Sequence, residues 1–149
     1  MKDPIKKSLT VPLSAREAFA LFTAEIDRWW PKASHSVKGP KAKLRFPKYK
    51  GDPITETGED GETAIWGKLI AYDPGRYLAF SWFSGRDESE ATVVEVVFIQ
   101  TAAGTTVNLT HGGFAILGPT ADAVSTSYLK GWDMVLGCFA SAAPVPVTA

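Results

Sequence analysis

Residues 121–142 read ADAVSTSYLKGWDMVLGCFASA, and the fold turns on them. Val124, Tyr128, Trp132, Val135, Leu136 and Phe139 recur in steps of three and four, which places all six on one face of a helix. At 1.5 Å per residue such a helix is roughly 33 Å long, enough to cross a whole sheet. Asp122 suits the positive end of its dipole. Gly112, Gly113, Gly118 and Pro119 mark a loop before it. Pro144-Val145-Pro146 cannot continue it. One domain over 1–143 with a flexible tail at 144–149 is therefore expected.

Outward from that helix the pattern changes from helical to alternating. Ala91–Ile99 is rich in β-branched residues, and Thr105–His111 sets Val107, Leu109 and His111 on one face. Tyr77–Phe83 puts Leu78, Phe80 and Trp82 on one side, and Ala64–Tyr72 precedes it behind Asp73-Pro74-Gly75. Asp60-Gly61 is a hairpin turn. Leu44 and Phe46 alternate in a stretch punctuated by Pro47, Gly51 and Pro53. At the front, Ile5–Val11 alternates up to Pro12, and Ser14-Ala15-Arg16-Glu17 has the form of a capping box. Ala15, Ala18, Phe19, Phe22, Ile26, Trp29 and Trp30 form an apolar stripe behind it, as one helix or as two with a break near Thr23 or Ala24. Short turns between strands imply antiparallel pairing. A sheet of about six to seven strands twists and curls, so the expected architecture is α+β, a curved antiparallel sheet wrapped on a long C-terminal helix.

Bulk properties narrow the function. The chain has 149 residues, 45% of them hydrophobic, with five Trp, eight Phe and four Tyr. Lys plus Arg equals Asp plus Glu at 16 each, which argues against a general nucleic-acid binder. Lys38, Lys41, Lys43, Arg45, Lys48 and Lys50 still crowd one stretch as a local patch. The single cysteine, Cys138, allows no internal disulfide. No signal-like leader and no membrane-length apolar run is visible, so a cytoplasmic location without membrane partners is the expectation.

Several pieces occur in the order of a known family: Ala18-Phe19-Ala20-Leu21-Phe22-Thr23 leading to Trp29-Trp30-Pro31; Ile65-Trp66-Gly67 with Asp73-Pro74; Phe80-Ser81-Trp82; Thr110-His111-Gly112-Gly113-Phe114; and Gly131-Trp132. Together they resemble the START/Bet v 1-like (SRPBCC, helix-grip) superfamily, in the branch named for the activator of heat-shock protein 90 ATPase. The family's paired glycines before the Trp-Gly strand are missing here, and Glu56 takes the acidic place at its end. The resemblance implies a cavity between helix and sheet for a small apolar or amphipathic molecule. It also implies two alternatives: a protein-interaction module tied to a chaperone and to stress response, with the Lys38–Lys50 segment as its contact, or a cyclase- or hydrolase-type enzyme using the same cavity.

Trp30, Trp66, Phe80, Trp82, Tyr128 and Trp132 are the candidate cavity walls, with His111 or Tyr128 as the polar contact. Aromatics fill cores as readily as they line pockets. His35 follows Trp29-Trp30-Pro31 and suits either a gate or an exposed loop. For an enzyme, His111 or Glu56 would be the acid or base; Lys68 has ambiguous parity, and Glu95 alternates outward. Cys138 reads as an inert thiol, although pairing with His111 is conceivable. Two histidines without matching carboxylates make no metal site, and no cofactor motif is present. A short edge strand leaves room for a homodimer.

Overall fold

The computed structural model describes residues 3–143; the tail expected at 144–149 lies outside the described residues. Seven strands form one antiparallel sheet: β1 (Ile5–Val11), β2 (Lys43–Arg45), β3 (Pro53–Thr57), β4 (Thr63–Asp73), β5 (Tyr77–Trp82), β6 (Thr92–Thr101) and β7 (Gly104–Gly112), in the order β1-β7-β6-β5-β4-β3-β2. Three short helices, α1 (Ala15–Phe22), α2 (Ile26–Trp29) and α3 (Lys32–His35), separate β1 from β2, and the long helix α4 (Ala121–Ala142) follows β7. This is the helix-grip α+β architecture, and the spans of β1 and α4 are those the alternation and the stripe predict.

The sheet buries one face. Thr92, Val94, Val96 and Phe98 of β6 alternate with outward residues, as do Thr105, Val107, Leu109 and His111 of β7. Against them α4 buries Val124, Trp132, Val135, Leu136 and Phe139. Phe139 is wholly buried and meets Phe22 and Trp29 with ring centroids 5.4 and 5.3 Å away. Burying a ring of that kind stabilises the fold by roughly 1.5–3 kcal/mol, and here it joins α1, α2 and α4 to one another.

The N-terminal stripe is broken after Phe22. The Thr23 hydroxyl donates to the Phe19 carbonyl (2.8 Å), and the chain restarts at Ile26. Ser14 and Glu17 do close a capping box on α1. At the sheet edge, β2 turns the Leu44 amide outward, where Asp27 Oδ1 accepts it at 2.7 Å. The bond satisfies an outward donor that an edge strand would otherwise present to another chain. Burial raises the Asp27 pKa, but Lys32, the Leu44 amide and Lys43 outweigh it and hold the group below its ordinary value.

β4 is irregular on both sides, with a register shift toward β3 between Ile54 and Thr55 and another toward β5 between Leu69 and Ala71. The shifts reset the alternation, so Trp66 and Leu69 both face the core. Lys68 consequently points to the rim, where its ammonium pairs with Glu88 at 2.8 Å. Glu95 faces outward and accepts from the Tyr77 hydroxyl at 2.6 Å. No helix among the described residues is long and apolar enough to cross a membrane.

The shifted strand approaches β5 most closely at Gly67, where an added Cβ would lie 1.7 Å from the Ser81 carbonyl oxygen. A backbone atom cannot swing aside as a flexible side chain does. Gly67→Ala is expected to lower stability by roughly 1–3 kcal/mol, read as a lower urea midpoint at unchanged m-value.

Candidate functional site

A cavity of about 300 Å³ lies between α4, the end of β5 and the segment that follows α2. Trp30, Trp82, Trp132 and Val135 are its apolar walls. The tryptophans touch one another: Trp82 is 5.8 Å from Trp132 and 5.9 Å from Trp30 between ring centroids. The polar residues of the lining are Tyr128, Ser84, Ser36 and His35, of which the Ser36 hydroxyl is engaged by the Lys32 carbonyl and the Gly39 backbone. Gly131 adds open space, because the face of α4 that it occupies has no side chain; a Cβ there would meet the His35 ring at 3.6 Å. The Tyr128 pKa is raised, burial outweighing the Arg86 guanidinium and the Trp82 side chain beside its hydroxyl. The phenol is therefore neutral at ordinary pH and retains its proton for donation.

Behind this wall lies His111, fully buried. The Trp132 indole N–H donates to His111 Nδ1 at 2.9 Å. An indole nitrogen can only donate, so Nδ1 is the acceptor and the ring proton sits on Nε2. Nε2–H in turn donates to Thr92 Oγ1 at 2.6 Å, and the Thr92 hydroxyl donates to the Trp82 carbonyl at 3.1 Å. Every proton in the chain has one place to go. The ring also packs on Phe114 and Tyr128, both at 4.8 Å. Protonating Nδ1 would set two N–H groups against each other without water, and burial lowers the pKa to about 3.

Glu56 is also fully buried, and it organises the opposite wall. Its Oε1 accepts from the Trp66 indole (2.8 Å) and the Val37 amide (2.8 Å), and its Oε2 from the Lys38 amide (2.7 Å). Trp30 completes the hold by donating its indole N–H to the His35 carbonyl at 2.7 Å. The segment 35–38 is thus tied down by one carboxylate and one indole, which keeps His35, Ser36 and Val37 against the cavity.

Of the residues singled out from the sequence, Trp30, Trp82, Tyr128 and Trp132 line the cavity. Trp66 and Phe80 stand behind them, Trp66 4.8 Å from Trp30 and Phe80 5.7 Å from Trp82. His111 stands behind them too, with both nitrogens engaged. His35 is half-buried and lines the cavity, its Nδ1 2.7 Å from the Ser34 hydroxyl. Cys138 borders a separate shallow groove with Trp29 and Met134. Sequence reasoning missed Ser36, Ser84 and Gly131. The loops carrying the two serines have no periodicity, but a glycine inside a strong helical stripe was a readable signal. Among the described residues no group of three or more His, Cys, Asp or Glu is placed to hold a metal ion.

Residues 12–142 match the family described as Activator of Hsp90 ATPase homolog 1-like protein. Among solved structures, the Aha1 dimer from Colwellia psychrerythraea superposes with a TM-score of 0.71 at 15% identity, over 99% of this chain and 100% of that one. Protein MLL2253 from Mesorhizobium loti gives 0.69 at 15%, over 93% and 94%. The anthrahydroquino-γ-pyrone synthase Txn09 gives 0.63 at 26%, over 94% and 96%. No curated protein matches.

The buried imidazole makes stability depend on pH. Between about 3 in the folded state and 6.5 in the unfolded chain, only the unfolded state holds the extra proton. The contribution is therefore complete above pH 6.5 and is lost as pH falls toward 3, at about 1.4 kcal/mol per pH unit. Urea melts at pH 7 and pH 5 should show this loss, and His111→Asn should remove that part of the slope.

Proposed function

We propose, from the premise that this chain belongs to the Activator of Hsp90 ATPase homolog 1-like family, that it binds a small apolar or amphipathic molecule in the cavity beside α4 without transforming it. One observation carries the reading. The cavity is at the small end of the roughly 300–1,000 Å³ typical of ligand sites, and the indole donors of Trp30 and Trp132 are already spent on the His35 carbonyl and the His111 ring. What faces a ligand is ring carbon, with hydroxyls and one imidazole to orient it. The similarity to a synthase of a polycyclic pyrone at 26% identity supports a flat ligand. Binding is favoured over catalysis because the two acid–base candidates, His111 and Glu56, are sealed behind the walls with their polar atoms engaged.

Gly131 supplies a test that separates stability from binding. Alanine there fits in ordinary contact with His35 and should stabilise the helix by about 1 kcal/mol. Gly131→Leu should instead fill the cavity. Native mass spectrometry of the wild type, followed by denaturing extraction, is expected to release a stoichiometric small molecule that Gly131→Leu lacks. Equal loading of the two proteins would put the ligand elsewhere.

A second reading, a contact for an acidic protein surface, is favoured by the segment around β2. Arg45, Lys48 and Lys50 make no ion pair among the described residues, and Tyr49 between them is 73% exposed. Lys38 and Lys41 are paired with Glu62 and Glu59. Reversing Arg45, Lys48 and Lys50 to Glu should leave the melting temperature within a few degrees and abolish capture of an Hsp90-type chaperone, if this face is the contact; unchanged capture would remove the reading.

A further inference from the structure

His111 touches no cavity surface, yet it bonds to one wall residue and, through Thr92, to another. The Trp132 indole meets Trp30 edge to face at 6.4 Å and Trp82 at 5.8 Å, apolar contacts that leave its N–H without a partner. Ring packing alone therefore does not anchor the N–H edge of Trp132. The bond to Nδ1 does, because it draws the N–H edge to the far side and leaves hydrocarbon toward the ligand. The other nitrogen reaches the Trp82 carbonyl at the end of β5 through the Thr92 hydroxyl. Two walls from different elements are thus held in one frame by a single imidazole.

We propose that His111 is a positioning residue of the cavity, setting the orientation of Trp132 through Nδ1 and tying it to the Trp82 end of β5 through Nε2 and Thr92. The proposal rests on the binding reading for its effect on affinity but not for its effect on the ring. Asn, Gln and Phe separate the two bonds. An Asn Oδ1 stands where Nδ1 stands and accepts from Trp132. A Gln Nε2–H reaches Thr92 but leaves Trp132 without an acceptor. A Phe keeps the packing on Phe114 and Tyr128 and loses both bonds.

The experiment records the indole N–H cross-peaks of the wild type and the His111→Asn, His111→Gln and His111→Phe variants, with Trp132→Phe to assign the signal. Binding of 2-naphthol, a flat apolar probe with one hydroxyl, is titrated on each. The Trp132 signal should stay near its wild-type position in His111→Asn and move upfield in His111→Gln and His111→Phe. Affinity for 2-naphthol should remain within threefold in His111→Asn and fall tenfold or more in the other two. If His111→Phe fails to fold, the Asn–Gln contrast still decides. A Trp132 signal unchanged in His111→Gln, or His111→Asn losing as much as His111→Gln, overturns the proposal. A wild type that does not bind 2-naphthol counts against the binding reading instead, and the cross-peaks still decide the role of His111.

Discussion

A buried indole brings one donor that must find an acceptor, and satisfying these donors shapes much of this molecule. Leaving such a group unpaired costs roughly 1–3 kcal/mol, so each partner is a strong local constraint. Trp29 donates to the Leu21 carbonyl at 2.7 Å, which holds α2 against α1 across the break at Thr23. Trp30 uses the His35 carbonyl, Trp66 the Glu56 carboxylate and Trp132 the His111 imidazole. Each acceptor sits on an element other than the donor's own helix or strand. The hydrogen bonds therefore do the joining, while the ring surfaces supply the apolar area.

The cavity is what this arrangement leaves open. Four tryptophans fill the space between sheet and helix at this end, and the remaining volume is bounded by the carbon faces of Trp30, Trp82 and Trp132 and by a loop fixed to Glu56. Polar groups in the region fall into two sets. His111, Glu56 and Thr92 are buried and fully engaged, so they stiffen the walls. Tyr128, Ser84 and His35 border the cavity and are placed to orient a guest, whereas the Ser36 hydroxyl beside them is engaged by the Lys32 carbonyl and the Gly39 backbone. A carboxylate that accepts three N–H bonds at 2.7–2.8 Å is well placed to hold a loop and poorly placed to take a proton from a substrate.

The regular parts of the fold were legible because their periodicities are strong. β1, β7 and α4 follow directly from alternation and from steps of three and four. The candidate cavity was legible in its aromatic residues, of which Trp30, Trp82, Tyr128 and Trp132 line it together. Two physical effects hid the rest. The bulges in β4 reset parity, which made the direction of Lys68 unreadable from Trp66 and Ile70. Long-range hydrogen bonds leave no periodic trace either, so the roles of Glu56 and His111 depend on which amides and indoles the fold brings to them. Sequence showed that these groups were unusual in apolar strands; only their partners showed that they brace the walls.

The pairing of β1 with β7 sets the order in which the fold can close. Ile5 faces His111 across the register and Val11 faces Thr105, so β1 waits for β7, the last strand of the sheet in chain order. The helix that covers the sheet emerges later still. Contacts of such sequence separation fold slowly, and incomplete chains expose apolar surface. The β3–β4 and β5–β6 hairpins can form from local sequence during translation, but Trp29, Trp30 and the inner face of the nascent sheet stay uncovered until α4 arrives. Folding of this domain is accordingly completed only when β7 and α4 are available to close it.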